Sequence, residues 1–265
     1  MANTVSPNGS REEAITSGAA ERDHAEALGA TGQIRIVEEV ESAFTEVVTA
    51  AFANREQQRF SLVLSGGPTA RRCYTDLAMT CLTAPRSSEG GAIDWSVVDI
   101  YFSDERCVDP EDPDSNYHQA CDALLDKVGP VGSVHPMYVG GNPDKAAAAY
   151  EKLIAPLGSF DLVHLGLGPD GHTASLFEGS EALDNPRGAL CMASSDPSGR
   201  NPHQRITLTL EALSRAREVV FTVTGAEKLP AFQRLRDGVD IPASRVRARS
   251  VLWLVDQAAA TPGHP

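Results

Sequence analysis

The segment Phe60-Ser61-Leu62-Val63-Leu64-Ser65-Gly66-Gly67-Pro68-Thr69-Ala70 decides the fold. Five mostly apolar residues of sheet-favouring type run without a break into two glycines, a proline and the start of a helical pattern over 69–82. Proline suits a first helical position, where its fixed φ helps and its missing N–H would have no intrahelical partner. A strand that turns at glycine straight into a helix is the opening of a β-α-β unit.

The same alternation repeats on both sides. Further strands are expected at 33–37, 97–102, 134–138, 162–167, 190–193, 205–210, 219–224 and 251–255, with helices over 38–56, 115–127, 143–155 and 226–236. Asp114 and Asn142 offer capping oxygens, and Pro143 again suits a first helical turn. Most of the strands are apolar enough to be covered on both faces. The expectation is a single doubly wound, mostly parallel sheet flanked by helices, Rossmann-like, forming one α/β domain over 32–257. Residues 1–31 read as a disordered N-terminal extension and 258–265 as a flexible tail.

The 265 residues are 42% hydrophobic and 22% charged, enough apolar material for a sizeable core and too balanced for a disordered chain. No apolar stretch is long enough to span a bilayer, so no membrane partner is expected. Asp and Glu outnumber Lys and Arg by 36 to 23, a net charge of −13 that argues against nucleic acid as a partner. An anionic ligand must therefore meet a local basic pocket. Residues 215–249 run against the trend, with eight Arg and Lys against four Asp and Glu. The five cysteines are odd in number and widely spaced, without Cys-x-x-Cys or a His pair at ligand spacing, which points to reduced thiols in a cytoplasmic protein and to no metal site. The polar N-terminus lacks the apolar stretch of an export signal. Oligomeric state is left at a monomer or small homo-oligomer.

In such sheets ligands sit where strands end, so the segments leaving the strands carry the function. In the first, glycine N–H groups and a helix N-terminus form a phosphate cradle from Ser65, Gly66, Gly67 and Thr69, and no Gly-Lys-Ser/Thr follows to make it a nucleotide loop. In Ser103-Asp104-Glu105-Arg106 two carboxylates and a guanidinium follow an apolar strand, so that one acid can face a site while the other orients Arg106. The acids and Asn116 downstream superficially suggest a calcium loop, but the central glycine and terminal glutamate are missing, and turn formation with capping by Asp114 explains them better. The third segment, Gly166-Leu-Gly168-Pro-Asp170-Gly171-His172, formally satisfies Gly-x-Gly-x-x-Gly. Pro169 and the poor helix after it make that a weak dinucleotide fingerprint. Asp170 and His172, two apart on a glycine-rich turn, instead suit a general base whose ring is oriented by a neighbouring carboxylate. His164, inside the preceding apolar strand, reads as a core residue. The fourth pair, Arg205 at the start of one strand and Lys228 after Thr224-Gly225, places cations beside apolar strands.

Together these segments resemble the 6-phosphogluconolactonase family, within the larger group that includes the glucosamine-6-phosphate isomerase/deaminases. The resemblance covers about residues 33–257 and rests most on Gly168-Pro-Asp170-Gly171-His172-Thr-Ala-Ser175-Leu-Phe177. It implies hydrolysis of 6-phospho-D-glucono-1,5-lactone to 6-phosphogluconate, the second step of the oxidative pentose phosphate pathway, with no metal or organic cofactor. It assigns His172 as the base that activates water and Asp170 as its support. The phosphorylated sugar lactone would be held by the Ser65–Thr69 loop with Arg106, Arg205 and Lys228, while Asp104 and Gly171 line the site. Sugar-phosphate isomerases carry a carboxylate five residues after this histidine, where Phe177 stands here. The loop departs from the Ser-Gly-Gly-Ser-Thr-Pro form at Pro68 and Ala70, and Glu178 replaces a common proline. The alternatives are an isomerase/deaminase, with Glu178 displaced into the missing role, and a non-catalytic sugar-phosphate-binding protein.

Overall fold

The computed structural model describes residues 25–27, 32–83 and 93–262. The chain runs through strand β1 (Ala25–Ala27), β2 (Gln33–Ile36), helix α1 (Val40–Ala53), β3 (Phe60–Leu64), α2 (Pro68–Thr83), β4 (Val98–Phe102), β5 (Asp104–Arg106), α3 (Asn116–Ala120), β6 (Ser133–Val134), α4 (Pro143–Ile154) and β7 (Leu162–Gly166). It continues through α5 (Glu181–Asp184), β8 (Cys191–Ser194), β9 (Arg205–Leu208), α6 (Leu210–Ser214), β10 (Glu218–Val223), α7 (Leu229–Arg236), β11 (Ser250–Val255) and α8 (Gln257–Ala260). The main sheet has the order β1-β2-β11-β10-β7-β3-β4-β6. Every neighbouring pair is parallel except β1 with β2.

The strands of the middle are apolar on both faces because helices cover both, the condition a parallel sheet requires. Leu62, Val63 and Leu64 of β3 and Val219, Val220 and Phe221 of β10 are fully buried. Phe221 stacks on Trp253 of β11 at 3.7 Å between centroids. Helices α1 and α2 pack side by side, and α1 lies against β10 and β11. Asn142 caps α4 through Lys145 N at 3.0 Å with Pro143 in the first turn, as expected.

The order of the strands locates the site. From β3 the chain moves outward to β4 and β6, then returns to place β7 on the other side of β3 and moves the opposite way to β10 and β11. The reversal falls between β3 and β7. These two pair only at Leu62 with Leu162 and Val63 with Val163, whereas β7 stays paired with β10 as far as Gly166. Their carboxyl ends therefore part, and the crevice that opens is the place where open α/β sheets bind ligands.

Several expectations need correction. The strands expected at 190–193 and 205–210 do not join the main sheet; as β8 and β9 they form a separate antiparallel sheet with Asp104–Arg106, in the order β5-β9-β8. Strand 134–138 shortens to two residues, because only Ser133 and Val134 reach β4. Ser115, not Asp114, caps α3, accepting from His118 N at 3.1 Å. The expected extension over 1–31 lies largely outside the described residues, but Ala25–Ala27 within it pairs with β2. The expected tail begins as helix α8, whose Ala259 and Ala260 are buried and whose first turn is capped by Asp256. Residues 263–265 lie outside the described residues. All five cysteines are free. Among the described residues no helix is long and apolar enough to cross a membrane.

His164 is a core residue, as its apolar strand implied. The ring is fully buried and hydrogen-bonds through Nδ1 to Tyr74 Oη (2.8 Å) and through Nε2 to Thr222 Oγ1 (2.8 Å). Tyr74 Oη also accepts from Ser65 N and donates to Ser65 O. A neutral imidazole carrying its proton on Nδ1 satisfies every member of this chain, which fastens the end of β3 to the core. Burial pushes the His164 pKa down to about 3. The unfolded chain takes up a proton near pH 6.5 that the native one refuses, so this group's stabilisation is complete above that pH and is lost as pH falls towards 3. The destabilisation caused by His164→Asn should therefore narrow by about 2 kcal/mol between pH 7.5 and pH 5 in urea unfolding. A pH-independent difference would show that the ring is charged in the fold.

Candidate active site

The crevice is a cleft of about 290 Å³ lined by the loops leaving β3 and β7, by β5 and β9 of the small sheet, and by Lys228. Each wall is built differently.

The wall after β3 is the Ser65–Thr69 loop. Gly67 has φ +100°, a left-handed conformation that side chains disfavour, and this turns the chain into α2. A Cβ on Gly66 would lie 1.8 Å from Asn116 Oδ1, so the loop backbone and the start of α3 touch. Gly67 N donates to Gln119 Oε1 at 3.2 Å, and Thr69 Oγ1 shares a proton with Thr224 Oγ1 at 2.6 Å.

The second wall separates the two adjacent acids. Successive strand residues face opposite ways, and on β5 Asp104 faces the cleft while Glu105 faces α3. Glu105 is 1% exposed and accepts from Arg106 N, Asn116 N, Tyr117 N and Ser115 Oγ at 2.7 to 3.1 Å. It anchors a helix N-terminus; burial raises its pKa against these bonds. Asp104 accepts from Ser175 Oγ (2.5 Å), Asn116 Nδ2 (3.1 Å) and Arg205 (3.3 Å). One buried carboxylate thus ties together α3, the turn after His172 and a buried guanidinium.

Arg106 and Arg205 are direct cross-strand partners in the β5–β9 ladder. Like charges in that position repel unless an anion lies between or beside them. Lys228, which sits in a short turn before α7, also lines the cleft, and its ammonium has no ion-pair or hydrogen-bond partner among the described residues. Against these three cations stands one carboxylate, Asp104, among the described lining residues. This is the local basic pocket that the overall charge of −13 requires of an anion-binding site. Arg205 Nε is buried with no hydrogen-bond partner among the described residues.

The turn after β7 carries the dyad. Thr173 Oγ1 donates to Gly166 O (2.8 Å) and Gly168 N to His172 O (2.8 Å), closing the turn on itself. A Cβ on Gly168 would come within 2.2 Å of His172 Nδ1, so glycine is needed for the ring to pack there. His172 Nδ1 lies 2.6 Å from Asp170 Oδ1 and its ring 4.8 Å from that of Phe177. Nε2 has no partner among the described residues. The His172 hydrogen bond holds the Asp170 carboxyl well below the usual carboxylate range. The bond fixes the tautomer: Nδ1–H donates and Nε2 is the free basic nitrogen. Ala174, two residues on, takes φ +47° and lines the cleft, a strained backbone of the kind found where a turn is held for function.

The structure therefore brings Ser65, Gly66, Gly67, Thr69, Asp104, Arg106, His172, Arg205 and Lys228 to one cleft. Gly171 is not among its walls; with φ +97° it packs against Ile241 and accepts from Ala243 N through its carbonyl, so it shapes the turn. Asp170 lies behind the ring, facing a neighbouring cavity with Glu178. Asn116 and Asn201 also line the cleft, and neither was expected. Asn116 lay inside the run of acids read as turns, and nothing local marked Asn201. Among the described residues no three His, Cys, Asp or Glu side chains come together to hold a metal ion.

The family model for glucosamine-6-phosphate isomerases/6-phosphogluconolactonase matches residues 33–253. The chain belongs to this family. A 6-phosphogluconolactonase of Mycobacterium leprae is 37% identical over 230 residues, 80% of this chain and 88% of the relative. One from Synechocystis is 33% identical over 239 residues, covering 84% and 92%. The crystal structure of 6-phosphogluconolactonase from Thermotoga maritima superposes with a TM-score of 0.72 at 29% identity, over 84% of this chain and 99% of that one. Within the isomerase/lactonase family the departures of this chain now have positions. Pro68 opens α2 without disturbing the loop, and Phe177 packs its ring between His172 and the Arg205 guanidinium, which lies 5.8 Å from the ring centroid. Glu178 lines the neighbouring cavity and not the cleft.

Proposed function

We propose that this protein hydrolyses 6-phospho-D-glucono-1,5-lactone to 6-phospho-D-gluconate, with His172 as general base. The observation that carries the reading is the Asp170–His172 pair, whose free Nε2 belongs to a cleft walled by three cations. The phosphate would bind at the Ser65–Thr69 loop with Arg106, Arg205 and Lys228, which places the lactone ring towards His172. Nε2 takes a proton from water as its oxygen attacks C1, and Asp170 stabilises the imidazolium that forms. The tetrahedral intermediate then collapses, the bond from C1 to the ring oxygen breaks, and the imidazolium returns its proton to that oxygen. The product is an open-chain hydroxy acid and the base is regenerated.

Two observations favour hydrolysis over sugar-phosphate isomerisation. Moving a proton between sugar carbons needs further acid and base groups. Where a carboxylate would serve, the Phe177 ring packs on His172, and Glu178 faces away from the cleft. A binding protein without turnover has no use for an oriented dyad.

Freshly generated 6-phosphogluconolactone, corrected for its spontaneous hydrolysis, should be turned over by the purified protein while glucosamine-6-phosphate is not. Activity on the amino sugar alone would establish the isomerase reading. Silence on both, with binding retained, would establish the binding protein.

A further inference from the structure

Asp170 presents two oxygens. Oδ1 is engaged by His172 through both the ring and the backbone N–H, at 2.6 and 3.1 Å. Oδ2 has one protein partner among the described residues, Arg200, whose Nη2 lies 3.2 Å away. Arg200 comes from the loop between β8 and β9, remote from the Asp170 turn in sequence, and its side chain is 65% exposed. An arginine so exposed is ordinarily a mobile surface charge. This one is held from behind. Ser198 Oγ accepts from Arg200 Nε at 2.9 Å, and Ser198 in turn donates to Asp196 Oδ1 from its hydroxyl (2.7 Å) and backbone N–H (2.8 Å). The other oxygen of Asp196 accepts from Asn201 N (3.1 Å) and Nδ2 (2.8 Å). One carboxylate thus shapes the whole loop. It delivers Arg200 to the back of the dyad and Asn201 to the wall of the cleft.

We infer that Arg200 is a positioning residue for the dyad, a clamp on Asp170 Oδ2 that keeps Oδ1 aimed at His172, and that the Asp196-centred loop exists to hold it there. The inference rests on the lactonase reading for its kinetic consequences and on geometry alone for its structural ones. Without the clamp, the Asp170 carboxylate is held by His172 alone, and the cavity on its far side, about 650 Å³ in volume, leaves it room to tilt. The carboxylate also loses a compensating charge, and its full field then falls on the imidazole. Arg200 lies among the charges that depress the Asp170 carboxyl, after the larger effects of His172. The other charged groups around the dyad are Arg234 from α7, which donates to Asp170 O (3.0 Å), then Glu178, Asp196 and Asp240 around the neighbouring cavity, and Arg205 beyond Phe177. None of these meets Oδ2.

The test compares full-length wild type, Arg200→Ala and Arg200→Lys. With 6-phosphogluconolactone, Arg200→Ala should lower kcat about fivefold, the scale an exposed pair supports, and leave KM within about twofold. Lysine keeps the charge but lacks the nitrogen that Ser198 holds, so it should restore only part of the lost kcat. Unchanged kcat in Arg200→Ala, or a loss carried by KM rather than kcat, would overturn the clamp. Absence of turnover in wild type would instead overturn the lactonase reading. The clamp is then tested by the chemical shifts of the His172 ring resonances in NMR at fixed pH, which move in Arg200→Ala if the clamp orients the dyad and stay in place if it does not.

Discussion

His172→Ala should lower kcat for the phosphorylated lactone by about a thousandfold, within the range a positioned general base supplies, and leave KM within a few-fold. The asymmetry follows from where the contacts lie. The groups assigned to the phosphate, Ser65 to Thr69 with Arg106, Arg205 and Lys228, are held by bonds that do not pass through the imidazole. The ring packs on Phe177 and against Gly168 and is tied to Asp170, so its removal leaves the turn held by the Thr173–Gly166 and Gly168–His172 hydrogen bonds. The measurement is steady-state kinetics over the spontaneous background, with binding of 6-phosphogluconate by calorimetry alongside. Wild-type turnover in this variant would remove His172 from the chemistry. A matching loss of product binding would show instead that the ring serves to hold the sugar.

Arg205→Ala is the second large effect, and it should appear in stability as well as in rate. Arg205 and Asp104 are 8% and 4% exposed, so truncating the guanidinium strands a buried carboxylate that keeps only Ser175 and Asn116 as donors. Breaking a buried pair from one side costs about 3 kcal/mol or more. The same change removes a cation from the cleft and loosens the Ser175 end of the His172 turn, so kcat/KM for the phosphorylated lactone should fall by at least about a hundredfold. Arg106→Ala is the control. Its side chain is half-buried and bonds outward to the Asp114 carbonyl. It should raise KM for the phosphorylated lactone and leave unfolding within about 0.5 kcal/mol of wild type. Urea unfolding and kinetics on phosphorylated and plain gluconolactone separate the two arginines. If Arg205→Ala were as stable as Arg106→Ala, the Asp104 network would not be the support described above.

The difference between what was legible in the chain and what was not is one of range. β3 falls at 60–64 as read, and Asn142 caps α4, because both depend on residues a few positions apart. The Asp170–His172 pair was legible for the same reason: two residues on one turn. The choice of sheet for β8 and β9 was not, since an antiparallel excursion between two parallel strands has the same local pattern as a sheet strand. Which of Asp104 and Glu105 faces the cleft follows from the location of α3, ten residues on, whose unpaired N–H groups claim Glu105. The cap at Ser115 in place of Asp114 displaces an expectation by one residue, the ordinary uncertainty of a helix end. Asn116 owes its position to Glu105 and Asp104 on β5, and although the Asp196 loop that holds Arg200 and Asn201 is local, its placement beside the dyad is not.

That range also says when in the life of the molecule the cleft comes into being. The bond from Thr69 to Thr224 spans 155 residues, that from Asp104 to Arg205 101, and that from Asp104 to Ser175 71. The turn after β7 closes on itself, but the walls meet one another only across such spans, and contacts so distant in sequence are slow to form. A nascent chain therefore acquires its sheet strand by strand but no catalytic competence until the segment through Lys228 has left the ribosome. A chain that ends before Lys228 lacks part of the lining of the cleft.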